Sequence, residues 1–173
     1  KNMKEIGVGI VGAGVRGVYY LGQAIVALNK ETGFVVSAVC DIIGQRSVEA
    51  KQYLEALYRD QRIEREIRIY DDYRQMLRDR QCRVVLVTSF TNMHREHAVE
   101  ALRIGKEVYL DKPIAVTLED AGEIVRPLDD GTGRREELGS HLRRDDVSER
   151  RLAEARRSIE QAVIERFLSV ARR

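Results

Sequence analysis

The chain of 173 residues is long enough for one domain with a substantial core, and 43% hydrophobic with 34% charged residues describes a charge-rich globular protein. A net charge of +2 gives no reason to invoke nucleic acid or a membrane surface as a partner. No apolar run approaches the roughly 20 residues that span a bilayer, and the start Lys1-Asn2-Met3-Lys4 lacks the apolar stretch of a signal peptide, so a cytoplasmic location is expected.

The first apolar run, Ile6 to Val11, suits a strand buried on both faces, and it ends in G-x-G-x-x-G at Gly12, Gly14 and Gly17. Gly12 allows the tight turn, Gly14 lets a pyrophosphate approach the backbone, and Gly17 lets helix and strand pack closely. A helix from about Val15 to Leu28 follows, with Leu21, Ile25 and Leu28 on its inward face. Its N-terminus points N–H groups and the positive dipole end at a bound phosphate, which places Val15 and Arg16 against the cofactor with the glycines.

Phe34 to Cys40 is the second strand and delivers Asp41, where a dinucleotide fold hydrogen-bonds the adenosine ribose. A carboxylate also repels a 2′-phosphate, which favours NAD over NADP; Arg46 nearby pulls the other way, since a guanidinium pairs with that phosphate. The alternative for Asp41 is that it caps the following turn. Gln45 to Arg59 reads as a helix with Val48, Tyr53, Leu54 and Leu57 inward, and 59–68 as a solvated, charged connection. Ile67 to Tyr70 is a short third strand, followed by a helix whose first residues are acidic.

Val84 to Thr88 is the fourth strand, and the loop Ser89-Phe90-Thr91 leads through His94 into a helix from Arg95 to Ile104, closed by Gly105. Glu107 to Leu110, the fifth strand, delivers Asp111-Lys112-Pro113. Thr117 caps a final helix that Pro127 stops. Five strand–helix repeats predict an α/β fold, a doubly wound parallel sheet of Rossmann type, with the loops after strands one, two, four and five around one crevice. Cys40 and Cys82 read as reduced core residues; the histidines His94, His97 and His141 are too scattered for a metal site, and none is expected.

Residues 5 to about 126 resemble the N-terminal domain of the Gfo/Idh/MocA family, the glucose–fructose oxidoreductase and inositol dehydrogenase relatives that use NAD or NADP on sugars, cyclitols and similar polyols. The resemblance rests on Gly12-Ala13-Gly14-Val15-Arg16-Gly17, on Asp41, and on the ungapped stretch from His94 through Gly105-Lys106 to Asp111-Lys112-Pro113. It implies that Lys112 is the catalytic lysine beside nicotinamide and substrate, that a cis bond precedes Pro113, and that Ser89, Phe90, Thr91, His94, Asp111 and Pro113 border the cofactor. Asp111 stands where the family has glutamate, and Ser89-Phe90-Thr91 where it has Thr-Pro-Asn.

Past Pro127 the resemblance ends, where relatives continue into a second, antiparallel-sheet domain. The expected organisation is a dinucleotide-binding domain over 1–128, a polar linker over 129–144 and an amphipathic helical tail over 145–173. The tail's apolar stripe (Leu152, Ala155, Ile159, Val163, Phe167, Val170) needs a surface to bury it, either a bare edge or face of the sheet or the same helix of a second subunit, and a homodimer is expected. Two functions compete: the cofactor half of an oxidoreductase, incomplete for catalysis as this chain, and a non-catalytic dinucleotide-binding or assembly module.

Overall fold

The computed structural model describes residues 5–129. The expected linker, the tail helix and the dimer it implies lie outside the described residues, as does His141. Within them, strands β1 (Ile6–Val11), β2 (Phe34–Cys40), β3 (Arg68–Tyr70), β4 (Val84–Val87) and β5 (Glu107–Leu110) form one sheet in the order β3-β2-β1-β4-β5. Every pairing is parallel. The crossovers carry α1 (Gln23–Thr32), α2 (Gly44–Asp60), α3 (Tyr73–Arg78) and α4 (His94–Arg103), and α5 (Leu118–Asp129) follows β5.

Both sheet faces are apolar, as a parallel sheet under helices requires. On one face Val8, Ile10, Val36 and Val39 pack with Val26, Leu54 and Tyr58 of α1 and α2. On the other, Val11, Ala38, Cys40, Val85 and Val87 pack with Met76, Leu77 and Ala101 of α3 and α4. Val36 and Val39 share a face although they are three apart, which plain alternation forbids. A register shift between Val8 and Gly9 resolves this: Val8 pairs with Val36 and Gly9 with Ala38, leaving Ser37 as the extra residue of a bulge. Side chains satisfy the bulge. The Val36 N–H donates to the Tyr58 hydroxyl at 2.9 Å, and the Ser37 hydroxyl donates to the Val8 carbonyl at 3.3 Å.

Three expectations need correction. The first helix opens with a π-helical stretch, Arg16–Gly22, before α1. Its wider turn takes in an extra residue and moves the inward face by one position, so Val18, Gly22, Val26 and Asn29 are buried while Leu21 and Ile25 flank the core. On α2 the buried stripe is Ser47, Ala50, Leu54 and Tyr58, and Val48 is 37% exposed. Val48 lies six residues before Leu54, about 120° off that face at 3.6 residues per turn. Pro127 does not stop α5, which continues past it to Asp129, the last described residue; the ring removes one backbone N–H donor from the helix.

The charged connection before β3 also buries more than expected. Ile67 is fully buried, Ile63 packs on the core, and the Ile67 N–H donates to Glu55 Oε1 at 2.8 Å. Gly105 takes the left-handed conformation expected of it (φ 77°), and Thr117 Oγ1 accepts the Asp120 N–H as a helix cap.

Candidate functional site

The ends of β1, β2, β4 and β5 bring four loops to the carboxyl edge of the sheet, with β1 in the middle. Gly12 leaves β1 with φ 96°, and a Cβ there would stand 2.5 Å from the Ser89 nitrogen. A Cβ on Gly17 would collide with Thr88 Oγ1 and the Gly12 carbonyl oxygen. These two glycines are therefore demanded by the protein's own packing. Gly14 is not: a Cβ there meets nothing among the described residues within 4 Å. The loop is open to one side at the position where a pyrophosphate needs backbone access. Thr88, at the end of β4, ties this loop down by donating its hydroxyl to the Gly12 carbonyl at 2.8 Å.

Asp41 is buried at the end of β2. Its Oδ2 accepts the Ala13 N–H at 2.7 Å and its Oδ1 the Ile43 N–H at 2.8 Å. The carboxylate thus holds both the glycine loop and its own turn, and each oxygen keeps a lone pair for a further donor. Next to it Ile42 and Ile43 are exposed, apolar groups the sequence reading passed over. Arg46 is exposed on the first turn of α2.

Across β1, Arg16 of the glycine loop pairs with Asp111 after β5, Nε to Oδ2 at 3.1 Å and Nη2 to Oδ1 at 3.3 Å. The hydrogen bond that Arg16 donates to Asp111 raises the Arg16 pKa above its usual value. Asp111 is accordingly the anchor of an arginine, a partnership that 95 residues of separation hid from the sequence reading. Lys112 is exposed beside it, and the Lys112–Pro113 bond is cis, as the resemblance implied.

His94 begins α4 and is buried at 2% exposure. Its Nδ1 lies 2.9 Å from the Pro113 carbonyl oxygen and its Nε2 3.0 Å from that of Ser89. One turn on, His97 Nδ1 lies 2.9 Å from Ser89 Oγ. Burial pushes the His97 pKa down, while Glu96 and Glu100 pull it up less strongly. The His-x-x-His spacing on the inward side of a helix was the signal for this pair. Val15 and Phe90 are exposed on their loops, and Thr91 opens a single 3-10 turn, Thr91–Met93.

The four loops and the helix starts that follow them carry the expected site residues at the carboxyl edge. Gly12, Gly14, Val15, Arg16 and Gly17 sit centrally, Asp41 and Arg46 on the β2 side, and Ser89, Phe90, Thr91, His94, Asp111, Lys112 and Pro113 on the β4–β5 side. Among the described residues no cluster of three or more His, Cys, Asp or Glu could hold a metal ion, and no helix is long and apolar enough to cross a membrane. Cys40 and Cys82 are free and buried, and burial together with Asp41 pushes the Cys40 thiol to about 12.

A family model described as an oxidoreductase family with an NAD-binding Rossmann fold matches residues 6–132. Inositol 2-dehydrogenase of Salmonella paratyphi B is 34% identical over 119 residues, covering 68% of this chain and 31% of that protein. Among solved structures, myo-inositol dehydrogenase from Lactobacillus casei, in complex with NAD(H) and myo-inositol, is 31% identical with a TM-score of 0.56, covering 71% of this chain and 33% of that one. A 3-ketoreductase variant from Actinomadura kijaniata, in complex with TDP-benzene and NADP, shares the fold at 20% identity and a TM-score of 0.59, over 73% of this chain and 35% of that one. The chain thus spans about a third of the length of the relatives it matches.

Proposed function

The chain belongs to the Gfo/Idh/MocA family of oxidoreductases with an NAD-binding Rossmann fold, and from that premise we propose that it holds a nicotinamide dinucleotide for hydride transfer on a sugar, cyclitol or related polyol. The observation that carries this reading is the contrast within the glycine motif. Gly12 and Gly17 are enforced by neighbouring atoms, whereas nothing among the described residues within 4 Å accounts for Gly14. An open approach to the backbone at the start of a helix, which a side chain would obstruct, fits a pyrophosphate.

Gly12, Gly14, Val15, Arg16 and Gly17 would hold the phosphates, and Asp41 the adenosine ribose. The acidic end of β2 sets the adenosine half on that side of β1 and sends the nicotinamide half toward β4 and β5. When bound, the dinucleotide supplies a hydride acceptor or donor. Lys112 Nζ donates a hydrogen bond to the substrate's reacting oxygen and helps move its proton. Ser89, Phe90, Thr91, Asp111 and Pro113 shape the floor around it. The buried carboxylate of Asp41 favours NAD over NADP, and the exposed Arg46 is the residue that would reverse the preference. The relatives named inositol dehydrogenases support a cyclitol among the possible substrates.

Calorimetric titration tests this reading. NADH binds the chain more tightly than NADPH does, and Gly14→Val weakens NADH by at least about tenfold while leaving the melting temperature within about 2 °C, since a Cβ at this position meets no atom of the described residues within 4 Å. Equal affinity for the variant, or no binding to the chain, contradicts the proposal.

A further inference from the structure

His94 is almost fully enclosed, and both ring nitrogens face main-chain carbonyl oxygens, of Ser89 at 3.0 Å and of Pro113 at 2.9 Å. A carbonyl oxygen only accepts, so each contact needs an N–H from the ring; neutral imidazole supplies one and imidazolium both. No ring nitrogen is left over for a ligand. The two carbonyls belong to different loops, one after β4 and one after β5, and Pro113 directly follows Lys112. Ser89 is gripped a second time through its hydroxyl by His97.

We infer that His94 is a positioning residue, not a cofactor contact: it ties the β4 loop to the segment after Lys112 and so sets the nicotinamide half of the site. This rests on the dinucleotide reading above, in which the adenosine half lies on the β2 side of β1, away from both loops. Loss of the tie then affects the two halves of the ligand unequally. A residue that merely supported the fold would weaken both.

NADH and ADP-ribose, which lacks the nicotinamide, are the probes. Both are titrated into the full chain, into His94→Phe, which keeps bulk without donors, and into His94→Gln, which keeps a donor. In His94→Phe the ratio of NADH to ADP-ribose affinity falls about fivefold, the worth of roughly one hydrogen bond, with ADP-ribose binding held, and His94→Gln recovers part of the loss. Amide exchange in the ligand-free protein quickens at residues 90–93 and 114–116. Equal weakening of both probes, or unchanged exchange, overturns the inference. If the unaltered chain binds neither probe the functional reading itself falls, while exchange still decides whether His94 ties the loops. If His94→Phe fails to fold, His94→Gln carries the same comparison, and an unchanged ratio there overturns the inference.

Discussion

At the residue scale the site is built from polar groups that serve the protein before they serve a ligand. Asp41 accepts two backbone N–H groups, Asp111 holds Arg16, and the histidines of α4 hold Ser89. The motif showed where these residues stand, and that Asp41 could cap its own turn, but not the contacts of Asp41 with Ala13 and of Arg16 with Asp111, which join segments far apart in the chain. His97 makes a measurable consequence. Its folded-state pKa lies below the usual histidine value, because burial disfavours the charged ring. The unfolded chain therefore binds more protons as pH falls, and stability must drop with it. Glu96, held low first by the Tyr73 hydroxyl and then by Arg74, withdraws its contribution only at more acid pH. Between about pH 7.5 and 5.5 the urea midpoint should fall, and His97→Gln should flatten that fall. An identical pH slope in the two proteins would refute the assignment.

At the scale of elements, β1, β2 and β4 were legible because each is a short, mostly apolar run, and β5 matches its expected limits. Helix faces were less so. The π-helical stretch Arg16–Gly22 shifts the inward face by one residue, and no periodicity rule anticipates an extra residue in a turn. The β2 bulge was equally hidden, since Phe34 to Cys40 is apolar at nearly every position and carries no alternation to break. The bulge depends on Tyr58, fully buried on α2, whose hydroxyl accepts the Val36 N–H. Tyr58→Phe leaves that buried donor without a partner, which costs about 1–3 kcal/mol. Urea unfolding measures it, and a loss below about 0.3 kcal/mol would show that the bulge relaxes to another partner.

At the scale of the whole molecule, the order β3-β2-β1-β4-β5 explains how segments spread over a hundred residues form one site. The β1 loop lies between the β2 loop, which carries the acidic residue, and the β4 and β5 loops, which carry the histidine-bound serine and the lysine. Strand–helix alternation made this arrangement legible in the sequence, since ligands bind at the carboxyl edge where strand order reverses. What the alternation did not carry is the cross-bracing by Thr88, Arg16 and His94 that fixes the loops relative to one another. Hydrogen–deuterium exchange with and without NAD tests the resulting site most directly. Slowed exchange is expected together at 12–18, 41–44, 89–93 and 111–116. Protection confined to one of these loops, or centred on the charged cleft of Lys51, Glu55, Arg59 and Arg65, would contradict it.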